Sequence, residues 1–124
     1  MEIKNYVLGN WISGEGKEID HINAITGEII SSTSSKGLDF KEVLEYGRKK
    51  GSPALRKMTF QQRGEMLKSL ALYLNKRKEI FYTLSKATGA TRIDSWIDID
   101  GGIGNLFANA SLRKQFPDLT YHVD

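Results

Sequence analysis

Thr59-Phe60-Gln61-Gln62-Arg63-Gly64-Glu65-Met66-Leu67-Lys68-Ser69-Leu70-Ala71-Leu72-Tyr73-Leu74 is the stretch on which the architecture turns. Thr59 and Gln62 stand three residues apart, the spacing at which a threonine hydroxyl and a glutamine side chain satisfy each other's unpaired backbone amides at a helix start. Met66, Leu67, Leu70 and Leu74 then recur every three to four residues, which predicts an amphipathic helix with these four on its buried stripe. A helix of this kind cannot hide its apolar face alone, so further helices are expected on either side of it.

Toward the C-terminus, Lys76-Arg77-Lys78 reads as a solvated helix end, where cations suit the dipole, and Ile80, Phe81 and Leu84 carry a helical face to a C-cap at Gly89. Thr91 and Asp94 repeat the capping spacing, and Ile93, Trp96, Ile97, Ile103, Phe107 and Ala110 predict one stripe of a final long helix. Pro117 follows it, and Leu119-Thr120-Tyr121-His122-Val123 predicts the start of a strand whose partner lies outside the chain.

Toward the N-terminus, Ser52-Pro53 reads as an N-cap with proline at the first helical position, opening a short helix to Met58. Another helix is expected around 39–50, stopped by Gly51, with Arg48-Lys49-Lys50 as its solvated end. Before it, apolar residues come in short clusters at Tyr6-Val7-Leu8, Trp11-Ile12, Ile19, Ile22, Ile25 and Ile29-Ile30. A Thr26-Gly27 turn predicts a hairpin with strands near 18–25 and 28–33, and Gly14 and Gly16 mark a turn before it. The expected fold class is α+β: N-terminal β-hairpin strands over 1–35, three to four helices over 38–116, and a strand beginning at 117–124.

Composition narrows the function. The 124 residues carry 18 Lys and Arg against 15 Asp and Glu, a net charge of +3 that is too small and scattered for a polyanion partner, so no nucleic acid is expected. No apolar run approaches the roughly 20 residues that span a bilayer, and no signal peptide opens the chain, so no membrane partner and a cytoplasmic location are expected. The chain has no cysteine, which removes thiol nucleophiles and thiolate metal sites.

Candidate chemistry is sparse. His21 and His122 stand far apart in strand-like contexts and receive no role. Asp94, Asp98 and Asp100 form the best acidic cluster, yet Asp94 completes a cap and further ligands are missing, so no metal site is assigned. Gly101-Gly102-Ile103-Gly104 lacks the G-x-G-x-x-G register and does not follow a strand, so it is not a nucleotide loop. Three glycines within a helix cost about 1 kcal/mol each relative to alanine, which points to close packing or a passage beside the helix.

The order of these features resembles the N-terminal part of the aldehyde dehydrogenase family. Asn5-Tyr6-Val7-Leu8-Gly9-Asn10-Trp11 is similar to its G-x-W segment, and Asn23-Ala24-Ile25-Thr26-Gly27-Glu28 to its N-P-x-T-G-E turn, with Ala24 in place of proline. The stretches from Pro53 to Arg63 and from Thr88 to Trp96 resemble more narrowly the phenylacetate-degradation branch, in which a hydratase domain follows the dehydrogenase. So does Asp98-Ile99-Asp100-Gly101-Gly102-Ile103-Gly104-Asn105-Leu106-Phe107-Ala108-Asn109-Ala110-Ser111-Leu112.

The resemblance implies that the chain is part of the α/β Rossmann-like cofactor domain of an oligomeric enzyme that uses NAD or NADP on a coenzyme A-linked semialdehyde. It places the family's cysteine, glutamate, asparagine and cofactor turn beyond residue 124. The chain alone is thus expected to be inactive and to bind no cofactor, with the remainder of the dehydrogenase domain as its partner and self-association through exposed helix faces in its absence. Asp98, Gly101 and Gly102 are expected along the substrate passage. The rival readings are a stand-alone helical interaction module and, less favoured, a small metal-dependent enzyme using the aspartates.

Overall fold

The computed structural model describes residues 2–123, which divide into two compact units at Ser52. The first carries the strands. β1 (Glu2–Ile3), β5 (Ile29–Thr33) and β4 (Ile19–Ile22) form one sheet in the order β1-β5-β4, while β2 (Asn5–Val7) and β3 (Asn10–Ile12) form a separate antiparallel pair. The β4–β5 hairpin closes as expected around Thr26-Gly27. Asn23 Oδ1 accepts from the amides of Ile25 at 2.9 Å and Thr26 at 3.2 Å, and Gly27 takes a φ of 75° that a side chain would resist. Parallel pairing of β1 with β5, Glu2 opposite Ser32, brings the chain's start to the hairpin's other edge.

β2 and β3 are joined by Leu8 and Gly9, both at positive φ (54° and 83°), the pair of left-handed residues that a two-residue hairpin of right twist requires. Gly14 passes so close to the Ser34 backbone that a Cβ would collide with it. Asn5 Nδ2 donates to Ser34 O at 2.7 Å and Ser34 Oγ to Glu15 O at 2.9 Å, so this corner is held by polar contacts around a buried serine.

α1 (Phe40–Tyr46) starts at Asp39, whose carboxylate accepts from the amides of Lys41 and Glu42. It runs into a π-helical turn, Gly47–Gly51, rather than stopping at Gly51. Ser52 keeps helical dihedrals (φ −60°, ψ −47°), so it does not cap the next helix as its pairing with Pro53 suggests. The wider π turn absorbs both glycines without breaking the backbone ladder.

The helical unit contains α2 (Ser52–Lys57), which begins at the boundary, then α3 (Phe60–Asn75), α4 (Lys78–Lys86) and α5 (Arg92–Ser111), followed by a 3₁₀ turn over Leu112–Gln115. Both expected capping boxes are formed, Thr59 with Gln62 and Thr91 with Asp94. Gly89, at φ 86°, turns the chain from α4 into α5.

The buried faces keep Leu67, Leu74, Ile103 and Ala110 of the expected stripes and differ in the rest. On α3 the inward line runs through Gly64, Leu67, Ala71 and Leu74, while Met66 and Leu70 point outward. On α5 it runs through Ser95, Ile99, Ile103 and Ala110, leaving Ile93, Trp96 and Ile97 on the opposite side at 57–69% exposure. Small residues decide this: a Cβ on Gly64 would lie 2.9 Å from Ala110 O and 2.8 Å from Arg113 Cβ, so α3 and α5 cross in near backbone contact. Residues 117–123 carry no strand pairing among the described residues, and Leu119 O accepts from Phe60 N at 3.0 Å. A strand is defined by its ladder, and among the described residues this segment has no ladder partner. Asp124 lies outside the described residues.

Candidate functional site

Asp98, Gly101 and Gly102 lie together on α5. Asp98 and Gly102 border two concavities, one on each side of the helix ridge. The first is an apolar groove of about 530 Å³ reaching α3 and α4, lined by Leu74, Phe81, Leu84, Ile99, Ile103 and Leu106 among others. The second, of about 520 Å³, runs along α5 itself over Asp94, Ile97, Asp98, Gly101, Gly102 and Asn105. Gly101 and Gly102 line it without side chains. A Cβ on Gly101, Gly102 or Gly104 would meet nothing within 4 Å. Packing among the described residues of the helical unit therefore does not account for these glycines, in contrast to Gly64.

The carboxylates of Asp94 and Asp100 are each engaged by partners other than Asp98. The Asp94 carboxylate faces back to Thr91, and its bond from the Thr91 hydroxyl at 2.6 Å, then that from the Thr91 amide at 3.2 Å, hold its carboxyl below the usual carboxylate range. Asp100 faces α4, where it accepts from Lys78 Nζ at 2.6 Å and from the Tyr82 hydroxyl. The bond from Lys78 first, then that from Tyr82, favours its ionised form and lowers its pKa. The same contact raises Lys78 and Tyr82 above their ordinary values. Lys78 is thus a partner of α5 and not merely a solvated helix end. Its spacing to Tyr82 on one helix face is visible in sequence, but the third member comes from 22 residues away.

The Arg92 guanidinium lies 4.4 Å from the centre of the Tyr82 ring. His21 pairs with Ser31 across the β4–β5 ladder, and His122 meets the Phe116 ring edge-on, so the two histidines are in different units. Among the described residues no group of three or more His, Asp and Glu side chains is placed to hold a metal ion, and no helix is long and apolar enough to cross a membrane. Gly101-Gly102 lies inside a helix rather than at a strand-to-helix turn, so it cannot cradle a dinucleotide phosphate with backbone amides.

Comparison with known proteins fits this arrangement of strands followed by helices. Residues 11–121 match the model of the aldehyde dehydrogenase family. The chain is also 38% identical over 115 residues to a 3,4-dehydroadipyl-CoA semialdehyde dehydrogenase of Aromatoleum evansii. The aligned region covers 92% of this chain and 22% of that relative, so the chain spans about a fifth of the relative's length. With the family match extending over most of its residues, the chain belongs to the aldehyde dehydrogenase family.

Proposed function

We propose that this chain is the N-terminal part of an NAD(P)-dependent aldehyde dehydrogenase, of the phenylacetate-degradation type, that oxidises a coenzyme A-linked semialdehyde. In this reading Gly101 and Gly102, with Asp98 at their rim, keep the substrate passage open. The observation that carries it is the empty space beside these glycines, which give up helix propensity without serving a contact among the described residues of the helical unit. The relative's coenzyme A-linked substrate supports the substrate class. In this reading the grip on the cofactor falls to the remainder of the domain, since Gly101-Gly102 sits inside a helix rather than at a strand-to-helix turn.

The same reading makes the 124-residue chain inactive by itself, since it has no cysteine to form a thiohemiacetal. It also has the remainder of the dehydrogenase domain cover Ile93, Trp96 and Ile97, and it assigns the protein to the cytoplasm.

The test is Gly101→Leu or Gly102→Leu in a complete enzyme containing this segment. The expected result is a raised KM for a coenzyme A-linked aldehyde, with a small free aldehyde spared and the Tm nearly unchanged. Equal losses on both substrates together with a large fall in Tm would overturn the passage reading and assign the glycines to packing against another part of the enzyme.

A further inference from the structure

A third concavity in the helical unit has a different chemistry. It is a pocket of about 310 Å³ between the end of α4 and the start of α5, lined by Tyr82, Lys86, Ala90, Arg92 and Ser95. Its floor is buried: Tyr82 is 8% and Ser95 3% exposed, whereas the two cations stand at its exposed edge. Among the described residues neither Lys86 nor Arg92 has an acidic group within ion-pair distance. The nearby carboxylate of Asp100 is already shared by Lys78 and Tyr82.

Arg92 is oriented without being consumed. Its guanidinium carbon lies over the Tyr82 ring at 4.4 Å from the ring centre, and a cation held over a ring need not spend its N–H donors on that contact. The Tyr82 ring is in turn fixed by the hydroxyl's bond to Asp100. Ser95 Oγ and Ser85 Oγ are 2.9 Å apart and either can be the donor; with Ser85 donating, the Ser95 proton is left for a ligand. A pre-oriented arginine, a lysine and a buried hydroxyl facing one cavity are the donor set for a tetrahedral oxyanion.

We propose that this pocket binds a phosphate monoester group of a small ligand. Its volume is near the lower end of the roughly 300–1,000 Å³ of small-molecule sites, enough for a phosphate and the first atoms of its ester and too small for a dinucleotide. Arg92 supplies bidentate donors, Lys86 the point charge and Ser95 the hydroxyl. The site is independent of the glycine ridge and of the substrate reading given to it.

The experiment is ¹H–¹⁵N spectroscopy of the 124-residue chain during titration with inorganic phosphate and with adenosine 3′,5′-bisphosphate, at ionic strength held constant with chloride. A hexaglutamate peptide serves as the competing anion. Saturable shifts at the Arg92 Nε–H and the Ser95 amide are expected with both phosphates. Arg92→Gln and Lys86→Gln should each weaken binding about tenfold or more, while Lys68→Gln, which removes the same charge elsewhere, should leave it unchanged. Arg92→Lys, keeping the charge without the fork, should fall between. Shifts that do not saturate, equal weakening by Lys68→Gln, or tighter binding of hexaglutamate than of either phosphate would each overturn the proposal. Should Arg92→Gln fail to fold, Lys86→Gln at the exposed edge decides the matter alone.

Discussion

Lys78 Nζ lies 2.6 Å from Asp100 Oδ1, joining the first residue of α4 to the middle of α5. Tyr82, one turn further along α4, donates to the other oxygen of the same carboxylate. One acidic group thus fixes both the spacing and the rotation of two helices, and the ridge bearing Asp98, Gly101 and Gly102 belongs to the second of them.

This arrangement sets the pH response. Asp100 is depressed below its ordinary value of 3.8, so its contribution is present above that value and is lost as pH falls through the folded-state pKa. Lys78 and Tyr82 are raised above 10.5 and 10.0, so theirs is full below about those values and is lost as pH rises beyond them. Asp100→Asn should lower the urea midpoint at neutral pH and flatten the acid limb, leaving the part that belongs to Asp94. An unchanged acid limb in denaturant titrations across pH 2 to 6 would refute the assignment.

The glycines should split into opposite classes. Gly64→Ala places a Cβ 2.5 Å from Arg113 Cδ and 2.9 Å from Ala110 O, an overpacking expected to cost about 1–3 kcal/mol. Gly101→Ala, Gly102→Ala and Gly104→Ala meet open space, and each should stabilise the 124-residue chain by about 1 kcal/mol through helix propensity. Chemical denaturation of the four variants checks both signs.

Ile93, Trp96 and Ile97, at 69%, 57% and 59% exposure, form a contiguous apolar face at the start of α5. The chain by itself should therefore bind a hydrophobic dye and sediment as a concentration-dependent mixture. Ile93→Asp with Ile97→Asp should abolish both effects while preserving helix content. A strictly monomeric profile with a sharp two-state melt would favour a self-sufficient interaction module instead.

Local signals are legible in the sequence because their physics is local. Thr59 with Gln62, Thr91 with Asp94 and the Asn23–Gly27 turn are each complete within a few residues, and each forms as read. The rotation of the helices is not legible in the same way. Leu67, Leu74, Ile103 and Ala110 turn inward as their spacing suggests, but Gly64 and Ala71 allow the closer approach that leaves Met66 and Leu70 outside. Hydrophobic periodicity weighs side chains by size and is blind to what their absence permits. The Lys78–Asp100–Tyr82 cluster escapes sequence reasoning for the other reason: its members meet only once α4 has folded back on α5. Gly101 and Gly102 stand out because glycine inside a helix contradicts local preference, and such contradictions are visible without a structure.

The close crossing of α3 on α5 reverses the usual response of a core to mutation. Its innermost residues are Ala71, fully buried, and Ala110, at 1% exposure, and among the described residues no large side chain is wholly enclosed. There is little bulk to remove at that crossing, so truncating substitutions should open scarcely any cavity, whereas every enlargement pries two backbones apart. A saturation scan of the helical unit should therefore be lopsided: residues 64, 71 and 110 should reject even modest additions, while the larger leucines and isoleucines around them accept shortening. The positions that carry least chemistry are the ones this packing leaves least free to change.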